Sequence, residues 1–301
     1  MIRTVGALVA LVVILYLAAA FALVWGATKA ERKPFEAHPL DFGLAYEDVS
    51  FPSRGHDLDL QGWLLPGQTG APFVILVHGI GGQRTADGAL ELASRLVNGG
   101  GYSVLAFDLR AHGASDGERV SGGYFERDDV LGAYDFLLGR GARPGGIALV
   151  GMSMGAGIAI MAAAREPGIA AVVADSPFAD IDDFIAQETA RKTPIPEAAV
   201  PAFLPAASLF ADVLYDIDLG DLKPERDVAL LSYPVLVIHG EADKRIPVAH
   251  GRRVYEAAPP GSELWIVPGL DHVDALHNAP DEYARRVQEY LARALAASQV
   301  R

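Results

Sequence analysis

The sequence lacks cysteine altogether and is poor in charge. Its 301 residues include no Cys, and Asp, Glu, Lys and Arg together make up only 21%. Without thiols there are no disulfides, no thiolate metal sites and no cysteine nucleophile. With 51% hydrophobic residues, the composition is far from that of disordered proteins. We therefore expect a folded chain whose chemistry uses other side chains.

Positive charge is also scarce. The chain has 25 Lys and Arg against 38 Asp and Glu, a formal net charge of -13. Nucleic-acid binders need a surplus of Lys and Arg on some face to neutralise phosphates, so we expect no nucleic-acid partner. We also expect neither an organic cofactor nor a metal, because no His, Asp and Glu cluster has the spacing of metal ligands.

Charge is absent from one long N-terminal stretch. Residues 4–28 contain no Asp, Glu, Lys or Arg, and they are bounded by Arg3 and Lys29. A bilayer core of about 30 Å needs roughly 20 helical residues at 1.5 Å each, so this stretch is long enough to cross it. Trp25 adds an aromatic side chain near one end. The pattern predicts a single-pass N-terminal membrane anchor.

A signal peptide is the alternative interpretation of this stretch. The apolar run continues past a candidate cleavage site as far as Trp25, which favours an uncleaved anchor over a secreted or periplasmic product. More basic residues follow the apolar stretch than precede it, which favours a cytoplasmic position for the folded domain. The α-amino group adds a positive charge before the stretch and reduces this difference, so the side of the membrane on which the domain lies stays open. The candidate cleavage alanines are Ala18, Ala20 and Ala22, and the basic residues are Lys29, Arg32 and Lys33.

Three segments follow from the change in composition along the chain. Residues 1–33 are the anchor and its flank, 34–45 a linker, and 46–301 a single folded domain. Within that domain, alternating residues on both sides of a turn predict an antiparallel hairpin at a sheet edge, over 46–51 and 58–65. Short, continuously apolar runs typical of strands buried on both faces follow at Phe73–Val77, 104–107, 147–150, 170–174, 235–238 and 264–267.

Helical stretches alternate with these runs and complete the fold prediction. They cover 86–96, 124–138, 156–165, 249–257 and 281–297. Alternation of strand and helix predicts an α/β fold with a mostly parallel, doubly wound sheet. A Pro-containing, mainly helical insertion at about 178–233 breaks the rhythm, and we expect it to form a cap over the sheet.

The strongest chemical signal is a Gly-x-Ser-x-Gly motif, Gly151-Met152-Ser153-Met154-Gly155, between a buried strand and a helix. A strand that reverses into a helix within a few residues forces the serine into a strained backbone geometry, where neighbouring Cβ atoms would clash. This context predicts Ser153 as a nucleophile. The backbone N–H of Met154 is then a candidate donor to an oxyanion.

A serine needs a general base, and the base needs an orienting carboxylate. Asp243 follows the run 235–238, and His272 follows the last strand. Ser153, Asp243 and His272 therefore occur in the chain order that this fold requires. Glu241 is the weaker alternative acid, whereas Asp271 and Asp274 are interpreted as loop-capping or surface residues.

A second oxyanion donor should come from another loop. The segment His78-Gly79-Ile80-Gly81-Gly82 follows the strand Phe73–Val77, and its glycines let the backbone approach a substrate closely. We expect the N–H of Ile80 to be that donor. His78 and His112 are expected to hydrogen bond their own loops, without acting as bases.

These motifs resemble those of the α/β-hydrolase superfamily, in its serine-hydrolase branch. The resemblance covers roughly residues 46–297 and is carried by HGIGG, DLRAHGASDG, GMSMGA, HGEADKRIP and GLDH. It implies an eight-stranded, mostly parallel sheet and a triad of Ser153, Asp243 and His272 that acts through an acyl-enzyme. With its anchor, the chain looks like membrane-associated hydrolases of the serine aminopeptidase-like or lysophospholipase-like kind.

The function expected from this resemblance is hydrolysis of carboxylic esters at a membrane. The partners would be a small ester or acyl substrate, including lipid-like ones, and the bilayer itself. Thioester hydrolysis, acyl transfer and peptide hydrolysis remain open on the same triad. A non-catalytic binding module with this fold is the alternative of another class.

Overall fold

A computed structural model describes residues 2–35 and 37–298 of the chain. The ends of the predicted anchor and of the predicted domain, Met1 and 299–301, lie outside the described residues, as does Glu36. The chain begins with helix α1, Ile2–Ala27. Over Arg3–Ala27 this helix is long and apolar enough to cross a membrane, a property that signal sequences share.

An eight-stranded sheet forms the centre of the domain, in the order β1-β2-β4-β3-β5-β6-β7-β8. Strand β2 pairs antiparallel with β1 and β4, and all later pairings are parallel. The predicted fold, a mostly parallel sheet with an antiparallel hairpin at its edge, is confirmed. The strands are β1 Glu47–Pro52, β2 Asp59–Leu65, β3 Phe73–Val77, β4 Ser103–Phe107, β5 Ile147–Met152, β6 Ile169–Asp175, β7 Leu236–Gly240 and β8 Glu263–Val267.

Helices cover both faces of the sheet and bury its apolar strands. Helices α2 and α10 pack on one face, and α3, α4 and α8 pack on the other. Because both faces are covered, the central strands are apolar at nearly every position, as the sequence shows. The helices are α2 Ala89–Gly100, α3 Glu126–Gly139, α4 Met154–Arg165, α5 Ile181–Lys192, α6 Leu204–Tyr215, α7 Pro224–Val228, α8 Val248–Ala257, α9 Ala275–Asn278 and α10 Pro280–Ser298.

One helix begins later than the pattern predicted. Helix α2 begins at Ala89, although the apolar spacing suggested a start at residue 86. Asp87 has a φ of 55° and Gly88 a φ of 77°, and these left-handed conformations separate a short 3-10 turn from the helix. Apolar periodicity does not reveal a single left-handed residue of this kind.

The insertion at 178–233 contains helices α5, α6 and α7 and no strand, in a stretch that the structure describes completely. Helix α7 packs against α4 and α8, within the helical layer of the domain. Helices α5 and α6 are joined by a 3-10 segment, Glu197–Ala202, and α6 packs against α1.

The predicted linker, residues 34–45, is packed against the domain in its described part. The Phe35 ring lies 5.4 Å from the Trp63 ring, and the Arg84 guanidinium lies 4.9 Å from the Phe35 ring centre. Leu44 is buried. This segment therefore holds the end of α1 at a defined place on the domain.

Candidate active site

Ser153 lies in a sharp turn between β5 and α4, with φ 57° and ψ -125°. Both neighbouring glycines are required by close backbone contacts. A Cβ on Gly155 would lie 2.2 Å from the Val77 carbonyl oxygen, and one on Gly151 would lie 2.2 Å from the Gly155 carbonyl oxygen. The turn therefore has the geometry that the Gly-x-Ser-x-Gly motif predicts.

The structure brings the three residues singled out in the sequence, Ser153, His272 and Asp243, into one hydrogen-bonded chain. The Nε2 atom of His272 lies 2.8 Å from the Ser153 Oγ, and its Nδ1 lies 2.7 Å from the Asp243 Oδ2. These partners assign the proton to Nδ1, so that Nε2 accepts from the serine hydroxyl. The three side chains come from loops that follow β5, β7 and β8, at the carboxyl edge of the sheet.

Asp243 is the buried end of this chain. Its Oδ1 accepts the N–H groups of Arg245 at 2.9 Å and Ile246 at 2.8 Å, and its side chain is fully buried. Burial alone would raise the pKa of Asp243, but hydrogen bonds from His239 and His272 outweigh it and hold the pKa well below its usual range. Asp243 is therefore ionised at neutral pH.

The two acidic residues that could replace Asp243 as the partner of His272, Glu241 and Asp271, accept hydrogen bonds from other groups. The Glu241 carboxylate accepts the N–H of Gly269 at 3.2 Å, and Asp271 accepts the N–H groups of Lys244 and His272, each at 2.9 Å. Asp271 thus caps the loop that carries His272, without contacting the imidazole through its carboxylate.

His239 belongs to the site although the sequence reasoning gave it no role. It is buried in β7, and its Nε2 lies 3.3 Å from Asp243 Oδ2 and donates to the Ile246 carbonyl at 2.8 Å. Asp243 therefore lies between two imidazoles. The spacing His-Gly-x-x-Asp at the end of a buried strand is the signal that could have identified it.

A strained cluster below the serine was also missed. Ser176 has a φ of 53° and Val273 a φ of 56°, which is unusual for any residue other than glycine. The Val273 N–H donates to the Ser176 Oγ at 3.4 Å, the Ser176 hydroxyl donates to Asp175 Oδ1 at 3.0 Å, and the Ser153 N–H donates to the Asp175 carbonyl at 2.8 Å. Burial raises the pKa of Asp175 to about 6. The cluster connects the turn of the serine to the loop of the histidine.

The two candidate oxyanion donors lie on either side of Ser153. Met154 is the first residue of α4, where N–H groups lack partners within the helix. Among the described residues, the Ile80 N–H has no hydrogen-bond partner, whereas the Gly81 N–H donates to His112 Nε2 at 3.1 Å. A Cβ on Gly79 would lie 2.9 Å from the Ser153 Cβ, so this loop passes directly beside the serine.

His78 and His112 support the Ile80 loop from below. His78 donates from Nδ1 to the Gly79 carbonyl at 2.8 Å and accepts the Leu109 N–H at Nε2, at 3.0 Å. Burial lowers the pKa of His78 to about 3 and also lowers the pKa of His112. Both rings are therefore neutral, and each joins the loop after β3 to the loop after β4.

A cavity of about 230 Å³ opens above Ser153 and His272. The loop Gly79–Gly82 forms one wall, and Arg245 and Lys33 contribute two cationic side chains. Lys33 comes from the segment that directly follows α1. The candidate site is therefore built partly by the flank of the N-terminal helix. Among the described residues, no cluster of three or more His, Asp or Glu could hold a metal ion.

Comparison with known proteins identifies the family and the fold of the chain. The family model described as the alpha/beta hydrolase family matches residues 74–286. The chain is 30% identical to the Bacillus subtilis protein YqkD over 64% of this chain and 62% of that protein. It therefore spans less than two thirds of that relative's length.

Solved structures give the same fold. The Pyrococcus furiosus esterase Pf2001 superposes with a TM-score of 0.72 at 26% identity, covering 89% of this chain and 98% of the esterase. A proline iminopeptidase of Mycobacterium smegmatis, at 18% identity and a TM-score of 0.61, covers 84% of this chain and all of that one, and shows the fold alone. The family match and the esterase support a hydrolase activity for this chain.

Proposed function

Because the chain belongs to the alpha/beta hydrolase family, we propose that it is a membrane-anchored serine hydrolase that cleaves carboxylic esters. The observation that carries this proposal is the continuous chain from Ser153 Oγ through His272 to Asp243, with distances of 2.8 and 2.7 Å. A chain of this kind converts a weakly nucleophilic hydroxyl into an effective nucleophile.

Acylation begins with attack by the Ser153 Oγ on the ester carbonyl carbon. His272 Nε2 accepts the hydroxyl proton, and the Asp243 carboxylate stabilises the resulting imidazolium through Nδ1. The carbonyl oxygen becomes an oxyanion that accepts the N–H groups of Ile80 and Met154, and the N-terminus of α4 adds its positive end. The tetrahedral intermediate collapses when His272 gives its proton to the departing alcohol.

Deacylation repeats these steps with water. His272 removes a proton from a water molecule that attacks the acyl-enzyme, and the second intermediate releases the acid and restores the Ser153 hydroxyl. Thioesters and amides react through the same intermediates, so the triad alone does not select the ester. The esterase neighbour Pf2001 is the observation that favours esters.

The anchor part of the proposal is supported by α1. Its side chains are largely exposed between Arg3 and Ala27, which fits a helix surrounded by lipid and not a core helix. The segment after it is fixed to the domain. The Val120 N–H donates to the Thr28 carbonyl at 3.0 Å, and Arg32 donates to the Gly113 and Gly117 carbonyls at 2.8 and 2.9 Å.

The acyl-chain preference of the full chain tests the lipid-like substrate. We expect kcat/KM to be about 10-fold or more higher for p-nitrophenyl hexanoate than for the acetate, because two buried methylenes at about 0.8 kcal/mol each already give that factor. Initial rates over the series from acetate to decanoate measure it. A strong preference for acetate would contradict the lipid-like substrate and leave the serine hydrolase intact.

The identity of the acid is tested by two isosteric changes. We expect Asp243→Asn to lower kcat by roughly 10²- to 10⁴-fold, because the amide no longer holds His272 in the productive tautomer. Glu241→Gln is the matched control and should leave kcat unchanged, since within the described part of the chain this carboxylate accepts the Gly269 N–H and has no hydrogen bond to His272. Equal losses in the two variants would rule out the assignment of Asp243.

A further inference from the structure

The cap helix α6 lies along the half of α1 that is nearer the domain. The Tyr16 hydroxyl donates to the Ala202 carbonyl at 3.0 Å, and the Tyr16 and Phe203 rings are stacked at 5.5 Å. Further along, the Phe21 and Phe210 rings meet edge to face at 5.8 Å. Two α6 alanines, Ala207 and Ala211, are buried with Val24 in one small apolar cluster.

The side of α6 that faces away from α1 carries two exposed apolar residues, Leu209 and Val213, together with the exposed Asp212. Leu209 is 58% exposed and Val213 67%, although apolar side chains of this type are usually buried. Asp212 is the helix's only charged residue. Helix α1, against which α6 packs, also has an apolar exposed surface, so the two packed helices both expose apolar side chains.

The position of the contacts along α1 sets the depth of α6. Phe21, which contacts Phe210 of α6, lies six residues before Ala27, which is about 9 Å along the helix at 1.5 Å per residue. A bilayer core is about 30 Å thick, so a helix that contacts α1 between Phe21 and Val24 lies within one leaflet. Asp212 and Asp216 are at the other end of α6, nearest the point where α1 reaches the domain.

We propose that the exposed face of α6 is embedded in the acyl chains of the leaflet beside α1, so that the cap is a second membrane contact of this chain. This inference rests on the proposed anchor, because α6 reaches the bilayer only if α1 crosses it. Amphipathic helices that lie in the membrane plane bury their apolar face to a similar depth, about 5–10 Å into the boundary of headgroups and acyl chains.

This contact places the candidate active site at the membrane surface. Lys33 lines the cavity above Ser153 and lies only six residues after Ala27. Since the intervening segment is hydrogen bonded to the domain, the cavity cannot move far from the bilayer. An acyl substrate then enters from the leaflet, without first leaving the lipid.

The absence of cysteine makes a direct test possible in the full chain. Single-cysteine variants Leu209→Cys and Val213→Cys are labelled with the fluorophore NBD and reconstituted in phosphatidylcholine vesicles with or without nitroxide-bearing lipid. Leu11→Cys, in the exposed part of α1, reports the anchor, and Asn98→Cys, exposed on α2, reports the aqueous side. Thermal melting by circular dichroism checks that every variant folds.

We expect the labels at positions 209, 213 and 11 to be quenched at least about threefold more strongly by the nitroxide lipid than the label at position 98. Quenching at position 11 alone, with 209 and 213 matching 98, would overturn the embedded cap and retain the anchor. No quenching at position 11 would overturn both. A blue-shifted but unquenched label at 209 would mean that a second copy of the chain covers this face, which also overturns the proposal.

Discussion

Replacing Ser153 with alanine is expected to lower kcat by roughly 10⁴-fold or more on any ester that the wild type hydrolyses. The hydroxyl is the only group in the proposed chain that bonds covalently to the substrate, and without it only substrate binding and the oxyanion donors remain, which give roughly 10³- to 10⁴-fold acceleration over water. His272→Ala should cause a similar loss. The double variant should be no worse than either single one, because the two side chains act as one unit.

Fluorophosphonate labelling of purified protein measures the reactivity of the same residue and does not require a known substrate. The wild type should be labelled, Ser153→Ala should not, and Ser94→Ala, at a half-buried position on α2, should behave as the wild type. Labelling that survives in Ser153→Ala would identify another nucleophile. A wild type that neither reacts with the probe nor turns over esters would favour the non-catalytic binding module.

Much of the fold could be predicted because its signals are local. Strands β3 and β5 are apolar at every position, as is β6 up to Ala174, and this property is visible in the sequence without knowledge of the partner strands. The serine turn was predictable for the same reason, since its two glycines lie within one pentapeptide. The late start of α2 was not, because it depends on left-handed conformations at Asp87 and Gly88.

The residues that were missed act through contacts distant in sequence. Asp175 is joined to the His272 loop by Ser176, and neither residue belongs to a motif around the triad. The packing of residues 34–45 was missed because Phe35 contacts Arg84 and Trp63, which no local pattern connects to it. The contact between α1 and α6 likewise joins segments that the sequence presents as independent.

Gly155→Ala should be among the most destabilising single substitutions in this chain. Its Cβ would lie 2.2 Å from the Val77 carbonyl oxygen and 2.5 Å from the His78 carbonyl oxygen, and neither backbone atom can rotate away. We expect the free energy of unfolding to fall by about 3 kcal/mol, the upper part of the range for overpacked sites. Urea unfolding of the full chain in detergent micelles measures it.

The matched control is Gly139→Ala, at the end of α3, where no heavy atom lies within 4 Å of the new methyl group and φ is not left-handed. This variant should keep or slightly raise stability, because alanine favours the helix by up to about 1 kcal/mol. Equal stability of the two variants would show that the contact of α4 with the end of β3 is not tight. That contact holds Met154 and Ile80 on either side of Ser153. If α4 moves away from β3, these two proposed oxyanion donors also move apart. Any Gly155→Ala protein that still folds should therefore react more slowly with fluorophosphonate than the wild type.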